Sequence, residues 1–195
     1  MKTLILNGSP SKNGDTMALI NEFMKHLNGD IRILSHYDYI SPCVDCRYCW
    51  SNPGCCTNDE KLKGIYSYLH YCDNIVLASP IWFSSLSGPL LNLASIVQAL
   101  WANSNFLKLP NVSKLKNGVI IITGAQEGTE VIPTQTAFTI MKYMNVDILG
   151  VAKVYSLNTN ILPAKEDSAA LEKCREAAKR LICMSEGKDN GTPIY

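Results

Sequence analysis

The sequence predicts an α/β fold: a three-layer, doubly wound sheet of five parallel strands in the order 2-1-3-4-5. Three observations carry this prediction. Short, continuous runs rich in Ile, Leu and Val alternate with longer stretches of helical spacing. Strands read this way when a parallel sheet is covered by helices on both faces. The runs also stop at Gly, Ser or Pro, as strands do where they pass into loops. Finally, no repeat or linker divides the 195 residues. One domain over residues 1–195 is expected, with a cysteine-rich insertion at about 39–58.

The elements follow in order. Lys2 to Asn7 is a buried strand, ended by Gly8-Ser9-Pro10. Asp15 or Thr16 caps a helix whose apolar positions, Leu19, Ile20, Phe23 and Leu27, run on to Asn28-Gly29. Ile31 to Leu34 is a second strand, and the cysteine segment after it has no clear period. Glu60 to Tyr71 is helical, and Asn74 to Ala78 is a third strand closed by Ser79-Pro80. Pro89 to about Ala102 is a helix, followed by an irregular polar stretch over 103–117. Gly118 to Thr123 is the fourth strand and Thr134 to Met144 the next helix. Ile148 to Tyr155 is the fifth strand and Glu166 to Met184 the last helix. The polar tail beyond Ser185 is expected to fray.

Composition excludes several classes of partner. Eighteen basic against seventeen acidic residues leave a net charge of +1, so no global field favours nucleic acid or an anionic membrane. No apolar stretch approaches the ~18 residues of a membrane span, and the apolar run at the N-terminus is too short for a signal peptide. A cytoplasmic, reducing location is expected. Cysteine is the abnormal count: five of the eight lie between Cys43 and Cys56. In a reducing compartment that clustering points to metal, cluster or redox chemistry, not to disulfides.

In a doubly wound sheet, ligands sit beyond the carboxyl ends of the strands, at the switch point between the first and third. This nominates three loops. The first, Gly8 to Thr16, has small residues, the hydroxyls of Ser9, Ser11 and Thr16, and a helix start. Backbone N–H groups at the positive end of a helix make an anion site there. The loop lacks both G-x-x-x-x-G-K-[ST] and G-x-G-x-x-G, so it suits a single phosphate monoester better than a nucleotide. The alternative is an ordinary turn and cap. The second loop, Ser79 to Pro89, carries Trp82 and Phe83, which either flank a flat ring or pack against a neighbouring helix or subunit. The third, Thr123 to Gly128, is small enough for its N–H groups to reach a ring edge.

GSPSKNGDT after the first strand, PCVDCRYC after the second and SPIWFSSLSGPL after the third together resemble the NADPH-dependent FMN reductase and iron–sulfur flavoprotein family. That family is flavodoxin-like, and the resemblance runs along nearly the whole chain. It implies that Ser9, Ser11, Asn13, Asp15 and Thr16 hold the FMN phosphate. Pro80, Ile81, Trp82, Phe83 and Ser84 would lie against the isoalloxazine and ribityl chain, and Thr123, Gly124 and Ala125 at the ring edge. Electrons would pass from NAD(P)H through bound flavin to a small-molecule or protein acceptor. This chemistry demands no acid or base side chain, and none is named. The departures are mild. The family often has a basic residue where Ser11 stands and Asn where Asp15 stands. Asp15 is the least comfortable beside a phosphate, unless it caps the helix with its charge turned away.

The cysteines run Cys43-x2-Cys46-x2-Cys49-x5-Cys55, with Cys56 adjacent. Four thiolates this close satisfy a [4Fe–4S] cluster, whereas structural zinc usually uses two separated pairs. The compressed spacing therefore favours a cluster over zinc, and the resemblance places it on Cys43, Cys46, Cys49 and Cys55. Free thiols near a subunit boundary are the competing reading, since flavin-only relatives keep a similar loop with glycine where Asp45 stands. The Cys55-Cys56 pair leaves the fourth ligand ambiguous. Cys72, Cys174 and Cys183 read as small core residues on helices. Two functions follow: an FMN-dependent oxidoreductase, or an iron–sulfur flavoprotein carrying electrons between proteins. The long segments 39–58 and 103–117 suggest a homodimer or homotetramer.

Overall fold

A computed structural model describes residues 1–54, 56, 61–109, 112 and 114–185. Five parallel strands form the sheet: β1 (Lys2–Asn7), β2 (Asp30–Ser35), β3 (Asn74–Trp82), β5 (Asn117–Gly124) and β6 (Ala152–Leu157). Their order is β2-β1-β3-β5-β6, which is the predicted 2-1-3-4-5, and the fold is flavodoxin-like. A two-residue strand, β4 (Ser85–Leu86), folds back antiparallel on the end of β3. Among the described residues no helix is long and apolar enough to cross a membrane.

The continuous apolar runs are explained by burial on both faces. Alternate residues of a strand point to opposite sides. Leu4, Leu6, Ile75, Leu77, Ile120 and Ile122 enter one core, beneath α2 (Lys61–Tyr71), α3 (Gly88–Ala94), α4 (Gln98–Ala102) and α5 (Val131–Tyr143). Ile5, Val76, Ala78, Val119, Ile121 and Val154 enter the other, beneath α1 (Asp15–Lys25) and α6 (Ser168–Ser185). Burial removes solvent from each strand face in turn, so neither face keeps the polar alternation of a half-exposed strand.

Several boundaries differ from expectation: α5 starts at Val131 and α6 at Ser168, and others shift for a local reason. β3 runs through Ser79-Pro80 to Trp82, pairing Pro80 with Thr123. Ala78 turns its carbonyl to β1, accepting from Gly8 N at 2.8 Å. Pro80, two residues on, faces the same side after β1 has turned away, so its missing N–H interrupts no ladder there. The helix expected over 89–102 starts at Gly88, tightens at Ser95–Val97, and continues as a wide turn through Asn103–Leu107. The left-handed Lys108 (φ 55°) ends it. The fifth strand starts at Ala152, not Ile148, because Asp147 Oδ1 accepts from Leu149 N at 3.1 Å and bends the chain before Val151. α1 stops at Lys25, short of Asn28. Glu60, Cys55 and the tail from residue 186 lie outside the described residues.

α1 and α6 are joined by a charge cluster at the edge of the second core. Glu22, buried on α1, accepts from Lys25 Nζ at 3.0 Å, Arg175 Nε at 2.8 Å and His26 Nε2 at 3.3 Å. Lys25 and Arg175, with His26 behind them, hold the Glu22 carboxyl down at about 2 against burial, from an ordinary 4.5. A carboxylate with a depressed pKa stabilises the fold above its unfolded value and loses that contribution as the pH falls through its folded value. Acid titration of stability should therefore show a loss between about pH 4.5 and 2 that is absent in Glu22→Gln. Urea unfolding across that range measures it, and an unchanged acid limb in the variant would refute the assignment.

Candidate functional site

The loops after β1, β3 and β5 lie at the carboxyl edge of the sheet, at the switch point between the parallel strands β1 and β3 where the strand order reverses. Two serines tie the first two of them together. Ser87 Oγ donates to Gly8 O at 2.8 Å, Ser79 Oγ donates to Ser87 Oγ at 3.2 Å, and Ser87 N donates to Ser79 Oγ at 2.9 Å. Ser87 also caps α3, accepting from Leu90 N at 3.3 Å. Gly8 permits this approach: a Cβ there would lie 2.4 Å from Leu90 Cβ and 2.7 Å from Ser87 Oγ.

The β1–α1 loop is ordered from within. Ser9 is buried; its N donates to Asn7 Oδ1 at 2.9 Å and its hydroxyl to Ser11 O at 2.9 Å. Ser11 and Asn13 are exposed, with Asn13 N donating to Ser11 Oγ at 3.4 Å. Gly14, not Asp15 or Thr16, takes the N-cap of α1 and supplies no side chain to its first turn. Asp15 is thereby corrected as a cap: its Oδ1 accepts from Ala164 N at 2.7 Å, which turns the charge toward the β6–α6 loop. Thr16 is buried, and its hydroxyl pairs with that of Thr123 at 2.7 Å, joining the first loop to the third.

The second loop is a tight hairpin. Ile81 pairs with Leu86 and Trp82 with Ser85, so Phe83 and Ser84 alone make the turn. Both have positive φ, 50° and 56°. Two-residue hairpin turns of this kind favour Asn-Gly, and side chains such as phenyl are strained there. Phe83 is wholly exposed and Trp82 41% exposed, so two aromatic rings stand at the rim. In the third loop Gly124 closes β5 against β3, where a Cβ would lie 2.9 Å from Ile81 Cδ1, and Ala125 is exposed. The structure thus brings all three predicted groups to one edge.

Sequence reasoning missed the fourth wall, the β6–α6 loop. Besides Ala164, it presents exposed Ile161 and Leu162, and Asn158, left-handed at φ 67°, donates to Glu127 Oε1 at 2.9 Å. The turn chemistry of Asn158 was the available signal. Beside it, Tyr155 shares a 2.9 Å hydrogen bond with Thr134, and burial pushes its phenol up.

The cysteine segment lies elsewhere, against the far end of the α3–α4 rod. Cys43, Cys46, Cys49 and Cys56 all line one cavity of about 520 Å³, with Trp50 and Trp101 among its walls. Cys43 N donates to Ser95 Oγ at 2.8 Å, and Gly54 N donates to Asn103 Oδ1 at 2.8 Å. The Trp50 ring stacks on Phe106 at 4.1 Å, with the Arg47 guanidinium 4.8 Å from the ring centre on Trp50. Burial pushes the Cys49 thiol up, and the neighbouring thiols of Cys43, Cys56 and Cys46 add to it. Among the described residues, no three His, Cys, Asp or Glu side chains converge to hold a single metal ion. Cys55 lies outside the described residues. Cys72 and Cys174 are buried as expected, but Cys183 is exposed, because it falls on the outer face of α6.

An open doubly wound sheet with a hydroxyl-lined helix start facing an aromatic hairpin defines a flavodoxin-like cofactor protein. The model of the NADPH-dependent FMN reductase family matches residues 1–146, and the chain belongs to that family. It is therefore an oxidoreductase of the flavin type. An iron–sulfur flavoprotein of Archaeoglobus fulgidus is 25% identical over 210 residues, covering 97% of this chain and 98% of that one. Among solved structures, an NAD(P)H:quinone oxidoreductase from Methanothermobacter marburgensis superposes with a TM-score of 0.63 at 12% identity, covering 93% and 98% of the two chains. An FMN-dependent NADH-azoreductase from Bacillus anthracis, in complex with FMN, does so at 0.57 and 14% identity, covering 93% and 99%. At such identities the two structures establish the fold.

The strained hairpin makes a prediction of its own. Replacing Phe83-Ser84 by Asn-Gly should relieve two left-handed side-chain positions and raise stability by about 1–2 kcal/mol. Urea denaturation measures this, and a destabilised variant would show that the Phe83 ring is held by contacts that outweigh the strain.

Proposed function

We propose that the chain binds FMN at the β1/β3 switch point and acts as an oxidoreductase drawing electrons from NAD(P)H for an acceptor. One observation carries the reading: the N-terminus of α1, capped by a bare glycine, opens onto the same edge as the strained aromatic hairpin. The first-turn N–H groups and the positive end of α1 suit a phosphate monoester. Ser11 and Asn13 flank that position from the exposed side, and Gly14 leaves it open, since a Cβ there would come within 3.1 Å of Ser11 Cβ. Asp15, whose charge would repel a phosphate, is committed to Ala164. Ser9 and the Thr16–Thr123 pair serve as the supporting floor, their hydroxyls already engaged.

Pro80, Ile81, Trp82, Phe83 and Ser84 supply a wall for a flat ring, and Thr123, Gly124 and Ala125 its polar edge. When bound, FMN supplies the hydride and single-electron chemistry. The chain anchors the phosphate, sets the plane of the ring against the hairpin and leaves one side open for a nicotinamide. Family membership and the name of the Bacillus anthracis complex support this reading.

A second reading, an iron–sulfur flavoprotein that carries electrons between proteins, is favoured by the thiol-lined cavity. Cys43, Cys46 and Cys49 with a fourth thiolate would hold a [4Fe–4S] cluster there. The name of the Archaeoglobus fulgidus relative supports it. An anaerobic visible spectrum with iron and sulfide assays separates the two readings: flavin bands without iron leave only the first.

For the flavin itself, the chain stripped of cofactor should bind FMN at least ~10-fold more tightly than riboflavin, since charge-assisted hydrogen bonds to the phosphate contribute about 1.5–3 kcal/mol each. Ser11→Glu, an exposed position, should erase that preference while leaving the melting temperature nearly unchanged. Fluorescence titration reads both. Equal affinities in the unaltered chain would refute the phosphate assignment, and no flavin binding would refute the function.

A further inference from the structure

We propose that Tyr37 is a positioning residue of the phosphate site, and that the charge it positions, on Lys12, pairs with the phosphate of FMN. Both roles rest on the flavin reading above. They bring into the site the turn after β2, which none of the three nominated loops includes.

The β1–α1 loop, Gly8 to Thr16, holds one cation, Lys12, and one anion, Asp15. Asp15 is turned away to Ala164 N. The Ser9 hydroxyl is engaged within the loop, and that of Thr16 by Thr123. A phosphate monoester brings a charge of about −1.5 to −2 at neutral pH. A helix N-terminus answers with only about half a positive charge. The remainder calls for a formal cation, and Lys12 is the one that the loop contains.

Lys12 is exposed and has no carboxylate partner among the described residues. Its ammonium lies 4.9 Å from the centre of the Tyr37 ring. Lys25, Lys114 and Lys173, by contrast, each face a carboxylate. A ring face fixes where an ammonium sits without cancelling its charge. Lys12 therefore keeps its full charge for an incoming anion.

Tyr37 is itself fixed to the loop. Its hydroxyl donates to Pro10 O at 2.5 Å, two residues before Lys12. It sits in the single turn His36–Asp38, directly after β2. Asp38 Oδ2 closes that turn, accepting from Ser35 N at 2.6 Å and Ser35 Oγ at 3.3 Å. Ser35 is level with Asn7 in the sheet, so β1 and β2 end side by side. The ring thus comes to stand against the β1–α1 loop. One tyrosine holds the loop backbone with its hydroxyl and the ammonium with its ring. A lysine already confined in this way has less rotamer freedom to lose when it binds.

The test titrates the chain, stripped of cofactor, with FMN and with riboflavin, read by fluorescence. The ratio of the two dissociation constants isolates the phosphate from the ring. Lys12→Gln should cut the preference for FMN about 10-fold, the size of one charge-assisted hydrogen bond. Lys12→Arg should restore most of it, since a guanidinium keeps the charge and stacks on aromatic rings. Tyr37→Leu should cut the preference about 2–5-fold, as loss of an exposed cation–π contact does. It should cut nothing further when residue 12 is already Gln, because the two side chains act as one unit. Added salt should shrink the preference more in the unaltered chain than in Lys12→Gln.

A full preference for FMN in Lys12→Gln overturns both roles, and so does its loss in Lys12→Arg. A full preference in Tyr37→Leu, or additive losses in the double variant, overturns the positioning role. An unaltered chain that binds FMN and riboflavin equally fails the phosphate reading itself, a separate result that takes both roles with it. Should Tyr37→Leu lose its fold, acetylation of Lys12 in the unaltered chain decides, read by mass spectrometry. FMN should protect Lys12 and riboflavin should not. Equal protection by both flavins, or by neither, overturns the pairing of Lys12 with phosphate.

Discussion

The serine knot between Gly8, Ser79 and Ser87 is the contact on which the upper edge of the molecule depends. Ser87 bonds the β1–α1 loop through Gly8 O, holds the end of β3 through Ser79, and caps α3. One side chain thus fixes three elements that are far apart in sequence. Buried hydroxyls are costly unless paired, so the knot forms completely or strains everything around it. It works only because residue 8 lacks a Cβ. With that loop held against α3, the start of α1 and the hairpin lie at one edge of the sheet.

The same helical rod serves both candidate sites. Its first turn, at Ser87 to Leu90, belongs to the serine knot. Its middle and end, Ser95, Asn103 and Phe106, hold the cysteine segment by two hydrogen bonds and a ring stack. The rod changes character along the way, tightening at Ser95–Val97 and widening at Asn103–Leu107. Wide turns of that kind are frequent at functional sites. Here the widened turn carries Asn103 and Phe106, the two residues that grip the loop.

Backbone strain is present at both of these places. Asp45 and Arg47 bracket Cys46, and Phe83 and Ser84 make the hairpin tip. A side chain in the left-handed region costs of order 1–3 kcal/mol, which the surrounding structure must offset. In the cysteine loop the anchors are Ser95 and Asn103; in the hairpin they are the pairing of β3 with β4 and the knot beneath it. A glycine at position 45 would occupy such a conformation without strain.

How much was legible follows from which forces are local. Strand β1 and the strand order could be read directly, because burial on both faces writes an unbroken apolar run such as Lys2–Asn7 into the chain. The three loops could be read because a doubly wound sheet puts its ligands where strands end. The errors fall where a distant partner decides. Asp15 looked like a cap, but Ala164, 149 residues away in the chain, takes its carboxylate. The pairing of Thr16 with Thr123, 107 residues away in the chain, was equally invisible in the sequence. Pro80 looked like a strand end until the neighbour it would have needed turned away. The sequence alone determined the layers, the strand order and the positions of the binding loops, because hydrophobic period and turn chemistry act over a few residues. Tertiary structure decided which polar groups remain available to a ligand, because a hydrogen-bond partner can come from anywhere in the chain.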